Sequence, residues 1–247
     1  MKFGLLLAGG LGKRMDSSIP KVLHEINKIP MICYVINTAF KIGCNSIGII
    51  VGKYKQIIIE TISKFYPNDS RINWIDQEEP LGTGHAVLCG LQWMQLNLDP
   101  MTNVLILSGD VPLISTFTLE NLMNKPNSIL VTKLENPYGY GRVRVCLAKQ
   151  SNTVKRIIEE KDCTPEEKLI NLVNCGIYSM ELSLLANVIP LITNDNAAKE
   201  YYLTDMIKLS YSQDQQINWY ELSSDKSIEI ANINTKEDLE NIKLLIT

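Results

Sequence analysis

Residues 7 to 15 read Leu-Ala-Gly-Gly-Leu-Gly-Lys-Arg-Met and follow directly on an apolar run from Phe3 to Ala8. Gly9, Gly10 and Gly12 remove side chains that would hold backbone N–H groups away from an anion. Arg14 and Lys21 follow at short range, so a backbone nest with two cations suits a polyphosphate, a triphosphate in particular. The loop is not a Walker A motif, because no Gly-Lys-Ser/Thr closes it. It also misses the third glycine of GxGxxG, where Met15 stands. Taken alone it reads equally as a tight strand-to-loop turn with two solvated cations. The setting of Lys21 favours the anion: Ile19-Pro20-Lys21-Val22-Leu23 places it between a rigid proline and an apolar pair, which a surface lysine does not require.

Asp110 is the next candidate. It stands where an apolar strand ends, in Val104-Leu105-Ile106-Leu107-Ser108-Gly109-Asp110. In open α/β sheets ligands bind outside the carboxyl ends of strands. A carboxylate there suits Mg2+, which takes one or two carboxylates together with phosphate oxygens and water. The same residues also fit an ordinary Ser-Gly-Asp turn. Direct displacement on a triphosphate requires charge neutralisation and alignment rather than a nucleophilic side chain. That agrees with a chain that has two histidines and no Ser-His-Asp pattern.

The elements that must position these residues alternate at first. Phe3 to Ala8, Ser46 to Val51, Arg71 to Ile75 and Asn103 to Leu107 read as buried strands. Between them, Met31 to Ile42, Tyr54 to Phe65 and His85 to Leu96 read as helices, the first bracketed by Pro30 and Gly43. Such alternation predicts βαβ units and a mainly parallel sheet. The middle differs. Ile129 to Leu134, Arg142 to Leu147 and Val154 to Ile158 read as strands with no helix between the last two, a small β insertion, and Pro165 to Lys168 as a polar loop. Leu172 to Tyr178 is a further strand, Tyr201 to Tyr211 a helix and Ile228 to Ile233 a final strand. Thr235 with Asp238 forms a capping box before a C-terminal helix.

Bulk properties narrow the partners. The chain has 247 residues, 45% hydrophobic and 21% charged, with a formal net charge of -3. This is an ordinary globular balance, long enough for a sizeable core, with no general attraction for nucleic acid or anionic membranes. No apolar run approaches the ~20 residues of a membrane span, and no signal peptide is visible. Cys33, Cys44, Cys89, Cys146, Cys163 and Cys175 include no CxxC pair and sit mostly in apolar stretches. Reduced, buried thiols and a cytoplasmic setting are expected.

Eight segments together resemble the uridyltransferase domain of bacterial N-acetylglucosamine-1-phosphate uridyltransferases. They are Leu7 to Gly10 with Arg14-Met15; Pro20 to His24; Leu81-Gly82-Thr83-Gly84-His85-Ala86; and Gly109-Asp110-Val111-Pro112-Leu113-Ile114. Then come Asn136-Pro137 with Gly139-Tyr140-Gly141-Arg142; Glu159 with Lys161-Asp162; Asn174 with Gly176; and Glu200-Tyr201-Tyr202-Leu203-Thr204-Asp205. Their order and spacing run along almost the whole chain.

The resemblance implies a single domain over residues 1–247, an α/β Rossmann-like nucleotidyltransferase fold with a mainly parallel mixed sheet and a small β insertion. It implies uridylyl transfer from UTP to N-acetylglucosamine 1-phosphate with Mg2+. Leu7, Ala8, Gly9 and Gly10 would contact uridine and phosphates. Arg14 and Lys21 would hold the triphosphate, and Gln77 would read the uracil edge, with Gly82 and Thr83 closing the base pocket. Asp110 and Asn234 would hold the metal. Gly141, Glu159, Asn174, Tyr202 and Thr204 would line the sugar-phosphate pocket. His85 is expected only to pack or bond locally at a helix start.

Lys13 departs from the family's small hydroxyl residue and Gly9 from its commoner alanine. The chain ends at Thr247, before the family's acetyltransferase β-helix, so no acetyl transfer and a monomer or small homo-oligomer are expected. Three rivals stand beside this reading: the same chemistry on another hexose 1-phosphate or nucleotide, a nucleotide-sugar binding protein without turnover, and a cytidylyltransferase making a non-sugar product, against which the Glu200 to Asp205 segment speaks.

Overall fold

A computed structural model describes residues 1–10, 17, 19–148, 151–233 and 235–246. Arg14, Asn234, Lys13 and Met15 fall outside the described residues. Among those described, one sheet has nine strands. Its central order is β5 (Ile72–Asp76), β4 (Ser46–Val51), β1 (Lys2–Leu7), β6 (Asn103–Ser108), β10 (Leu172–Glu181), β7 (Ser128–Lys133) and β11 (Asn218–Leu222). Strands β5, β4, β1 and β6 are mutually parallel, and so are β7 and β11. Only β10 runs against its neighbours in this row. The hairpin β8 (Arg142–Ala148) and β9 (Ser151–Ile158) leaves the row through a bridge from Arg142 to Val173. The mainly parallel sheet and the small β insertion are therefore both present.

Side-chain alternation explains why the parallel strands read as unbroken apolar runs. Phe3, Leu5, Ile50, Val104 and Ile106 enter one core with residues of helices α3 (Thr83–Asn97), α5 (Leu182–Val188) and α6 (Asp205–Ser212). Their neighbours Leu6, Ile49, Val51, Leu105 and Leu107 enter a second core under α1 (Met31–Lys41), α2 (Lys55–Phe65) and α4 (Thr116–Met123). Both faces are covered, as a parallel sheet requires. A third cluster docks α7 (Lys236–Ile246), through Leu239 and Ile242, on Ile26 and Met31. Ile26 lies in the short ribbon β2 (Glu25–Ile26) and β3 (Ile29–Pro30), and Met31 follows it directly.

Several expected elements change. Tyr201 to Leu203 is not helical, because its backbone is committed elsewhere: Tyr201 N–H donates to Leu81 O at 2.8 Å and Gly84 N–H to Tyr201 O at 2.7 Å. The helix starts at Asp205. Ile228 to Ile233 is not a strand. Ser224–Ile230 is a 3-10 helix, and the edge strand comes earlier, at β11. The segment Pro165 to Lys168 holds part of a 3-10 turn in which Glu167 is buried and paired with Arg156 at 2.6 Å. The capping box forms: Thr235 N–H donates to Asp238 Oδ2 at 2.8 Å, and Asp238 N–H to Thr235 Oγ1 at 3.1 Å.

Candidate active site

The carboxyl ends of β1, β4, β5 and β6 meet at one edge of the sheet. Parallel pairing puts Leu7 beside Ile50 and Ser108, and the ladder continues past the strands through Ala8 N–H to Ile50 O at 3.0 Å and Gly109 N–H to Leu7 O at 3.1 Å. The glycine-rich turn therefore starts in register with the segment carrying Asp110. Backbone crowds closely here. A Cβ on Gly9 would lie 2.9 Å from Gln77 Oε1, and one on Gly109 would lie 3.0 Å from Val22 Cγ1. At Gly9, substitution would press on Gln77.

Lys21 and Asp110 are 89 residues apart in sequence and form an ion pair, with side chains 13% and 14% exposed. Lys21 opens a 3-10 turn after Pro20. Val22 and Leu23 bury into the second core and fix the direction of the chain. Ser108 Oγ donates to the other carboxylate oxygen of Asp110 at 2.5 Å. Ile233 N–H donates to Asp110 O at 3.3 Å, so the chain returns to this point just before the C-terminal helix. Among the described residues no group of three or more His, Cys, Asp or Glu could hold a metal. One carboxylate beside a polyphosphate is nevertheless the kind of site that Mg2+ takes.

The segment after β5 forms the next wall. Gln77 is buried, and its Nε2 donates to Gly82 O at 3.2 Å. Gly82 has φ +123, and a Cβ there would lie 2.5 Å from Tyr201 O, so glycine is required. Thr83 Oγ1 accepts from Leu203 N–H at 3.0 Å. Leu81 to Gly84 is thus stitched to Tyr201 to Leu203, which joins the parallel half of the molecule to the antiparallel half.

Beyond that seam lie Gly141, Glu159, Asn174, Tyr202 and Thr204. Thr204 Oγ1 donates to Glu159 Oε1 at 2.8 Å. Gly141 O accepts from Asn174 N–H at 2.9 Å, and a Cβ on Gly141 would meet Ile157 Cγ2 at 2.8 Å and Glu159 Oε1 at 3.5 Å. Asn174 sits at the irregularity in β10, where the register against β7 shifts and Gly176 takes φ +71. Its Nδ2 donates to Tyr178 OH at 2.7 Å, and its Oδ1 accepts from Gly176 N–H at 3.2 Å. Burial raises the Glu159 carboxyl above the usual range. Asp205, Asp162 and Glu200 push the same way, against the Thr204 hydrogen bond. Burial, then Asp162 and Glu159, raises the Tyr202 phenol to about 12.

Residue types did not reveal everything in this half. Arg142 is almost fully buried and donates to Glu160 Oε2 at 2.6 Å and to Tyr140 O. The same carboxylate oxygen accepts from Gly139 N–H at 3.1 Å. Burial would raise Glu160, but hydrogen bonds from Arg142 and Gly139 hold it below the usual carboxylate range. The pair locks the loop before β8 to the turn after β9, on either side of Gly141 and Glu159. Arg142 is marked in the sequence only as a charged residue opening an apolar strand and as the end of the Gly139-Tyr140-Gly141-Arg142 segment, with no role attached. Tyr178 and Ser108 gave no signal of their own.

Among the described residues, the structure therefore gathers the expected site residues into two adjoining groups. Leu7 to Gly10, Lys21, Gln77, Gly82, Thr83 and Asp110 form one, and Gly141, Glu159, Asn174, Tyr202 and Thr204 the other.

Residues 4–156 match the MobA-like NTP transferase domain. The chain is 44% identical over 245 residues to the probable UDP-N-acetylglucosamine pyrophosphorylase of Acanthamoeba polyphaga mimivirus, covering 96% of this chain and 93% of that protein. It is 41% identical over 210 residues to the bifunctional protein GlmU of Geotalea uraniireducens, covering 83% of this chain and 44% of that one. Against the GlmU of Thermoanaerobacter pseudethanolicus it is 39% identical over 242 residues, covering 95% and 49%. The chain thus spans about half the length of those bifunctional relatives. An apo UDP-glucose pyrophosphorylase has the same fold, with TM-score 0.75 at 16% identity over 100% of this chain and 98% of that one.

Proposed function

The chain belongs to the nucleotidyltransferase family represented by the MobA-like NTP transferase domain and the UDP-N-acetylglucosamine pyrophosphorylases. From that premise we infer that it transfers a uridylyl group from UTP to N-acetylglucosamine 1-phosphate, giving UDP-N-acetylglucosamine and pyrophosphate. The observation that carries the reading is the Lys21–Asp110 pair beside the glycine-rich turn, at the shared carboxyl edge of β1 and β6.

The glycine-rich backbone, Lys21 and Arg14 receive the triphosphate. Gln77, Gly82 and Thr83 receive uracil. Gly141, Glu159, Asn174, Tyr202 and Thr204 receive the sugar phosphate. A phosphate oxygen of the sugar 1-phosphate forms the new bond to the α-phosphorus of UTP in line with the bond to the β-phosphate, which breaks and releases pyrophosphate. Lys21 neutralises charge that builds on the phosphates, and the two pockets hold the reactants in line. Asp110, with Asn234, is the place for Mg2+, which when bound supplies further charge neutralisation at the phosphates. The donor set fits, because one carboxylate with phosphate oxygens satisfies this ion. The buried free thiols support a reducing, cytoplasmic setting.

The test is pyrophosphate release over a panel of nucleoside triphosphates and sugar 1-phosphates. UTP with N-acetylglucosamine 1-phosphate is expected to give the highest kcat/KM. A higher value for another pair overturns the substrate assignment, and wild-type turnover by Asp110→Asn or Lys21→Ala overturns the roles of those residues.

A further inference from the structure

The amide of Gln77 is held in one orientation. Its Nε2 lies 3.2 Å from Gly82 O and 3.2 Å from His85 Nδ1. A carbonyl oxygen only accepts hydrogen bonds, so the nitrogen, not the oxygen, faces Gly82. An amide nitrogen does not accept, so His85 Nδ1 is the acceptor in the second contact and the imidazole proton sits on Nε2. Cys89 Sγ lies 3.8 Å from that Nε2, and the His85 ring tilts against Tyr201 at 6.2 Å between centroids. Both amide hydrogens of Gln77 are then engaged by the protein. Its Oε1 is left beside Gly9 of the glycine-rich turn, and among the described residues none donates to it.

We propose that His85 is a specificity-positioning residue, which holds Gln77 as a pure hydrogen-bond acceptor toward the base and thereby selects uracil over cytosine. The proposal rests on the reading of Gln77 as the base contact. Uracil carries a hydrogen on N3 and can donate to Gln77 Oε1. Cytosine carries a lone pair at N3, which faces that oxygen acceptor to acceptor. An unconstrained glutamine serves both bases by rotating its amide through 180°. Gly82 O opposes the rotation, because it would bring an oxygen against an acceptor, and His85 Nδ1 opposes it as long as the imidazole proton stays on Nε2, 3.8 Å from Cys89 Sγ. A site with a fixed polar group rejects the mismatched partner far better than an adaptable one.

The experiment measures kcat/KM for UTP and CTP, and KM for the sugar phosphate, in wild type, Gln77→Leu, His85→Leu, His85→Phe and His85→Asn. Phenylalanine keeps a ring against Tyr201 if leucine fails to fold. The amide oxygen brought in by His85→Asn can replace Nδ1 as acceptor. His85→Leu and His85→Phe are expected to lower the UTP-to-CTP ratio about tenfold, the scale of one hydrogen bond. The sugar-phosphate KM should stay unchanged, and His85→Asn should restore most of the ratio. Equal loss toward UTP and CTP in the leucine and phenylalanine variants, or no recovery with asparagine, overturns the proposal. If Gln77→Leu collapses the ratio while the His85 variants keep it, the base contact stands and the role of His85 falls. If Gln77→Leu leaves the ratio unchanged, both fall together.

Discussion

The two halves of the candidate site are held by different means. Around Lys21 and Asp110 the positioning is done largely by main chain: parallel ladders that continue past the strands and glycines that let backbone approach Gln77 and Leu7, to which the Lys21 and Ser108 bonds to Asp110 are added. Around Glu159 and Asn174 it is done by pairs of side chains, most of them buried or half-buried. Arg142 holds Glu160, Arg156 holds Glu167, Tyr178 holds Asn174 and Thr204 holds Glu159. A main-chain scaffold tolerates replacement of the reactive side chains it carries. A side-chain scaffold does not, because each strut is also a folding contact.

That contrast breaks most sharply at Asp110 and Arg142. Asp110→Asn keeps size and shape on a strand end set by its neighbours, so turnover is expected to fall by about 10³ or more, and the weakened bond to Lys21 should lower the melting temperature less than the loss of Arg142 does. Arg142→Met is expected to cost ~3 kcal/mol by leaving Glu160 and Tyr140 O without their partner, and to raise the sugar-phosphate KM while sparing that for UTP. Thermal melts and initial rates on both variants decide the matter. Equal destabilisation would erase the distinction between the halves. The seam gives an intermediate case. Gly82→Ala, at φ +123 with a Cβ 2.5 Å from Tyr201 O, should cost ~2 kcal/mol and raise both KM values, because Leu81 to Gly84 borders both pockets. An increase in only one KM would place the seam within one half.

The same contrast governs what the sequence made legible. Strands buried on both faces leave continuous apolar runs, so Ser46–Val51 and Asn103–Ser108 emerged within a residue of their bounds. Pro30 and Gly43 bracketed α1 for local reasons that no tertiary contact overrides. In the second half, Ile228-Glu229-Ile230 alternates like a strand, yet Ile228 is exposed and only Ile230 is buried, inside a 3-10 turn. Helix α5, Leu182–Val188, is too short for its period to be told from that of a buried strand. Helix α4 was missed although Ser115 caps it, accepting from Thr118 N–H at 3.1 Å. The family resemblance pointed to Glu159 and Asn174, which their own residue types and spacing did not. What steadies them, Arg142 and Tyr178, depends on pairings across strands and turns that one sequence does not display.

The smallest expected effect tests the side-chain half within two adjacent residues. Glu159 is raised above the ordinary carboxylate range, chiefly by burial. Glu160 ends below it because hydrogen bonds from Arg142 and Gly139 outweigh its desolvation. A raised carboxyl stabilises the fold fully below its unfolded pKa, and that contribution is lost as pH rises through the folded value. A lowered one contributes above its unfolded pKa, and that contribution is lost as pH falls through the folded value. Glu159→Gln should therefore melt a few degrees higher than wild type at neutral pH, the scale of ~1 kcal/mol in a chain this size, with the gap closing toward acid. Glu160→Gln should melt lower at neutral pH, and its deficit should shrink as pH falls. The stabilised Glu159→Gln variant should also bind the sugar phosphate more weakly, because a carboxylate kept costly by burial has been exchanged for a neutral amide. Melting curves from acid to neutral pH, with the sugar-phosphate KM of each variant, give the result. Slopes of the same sign would mean that Glu159 is an ordinary solvated carboxylate, and that its burial against Thr204 and Gly141 does not govern its charge.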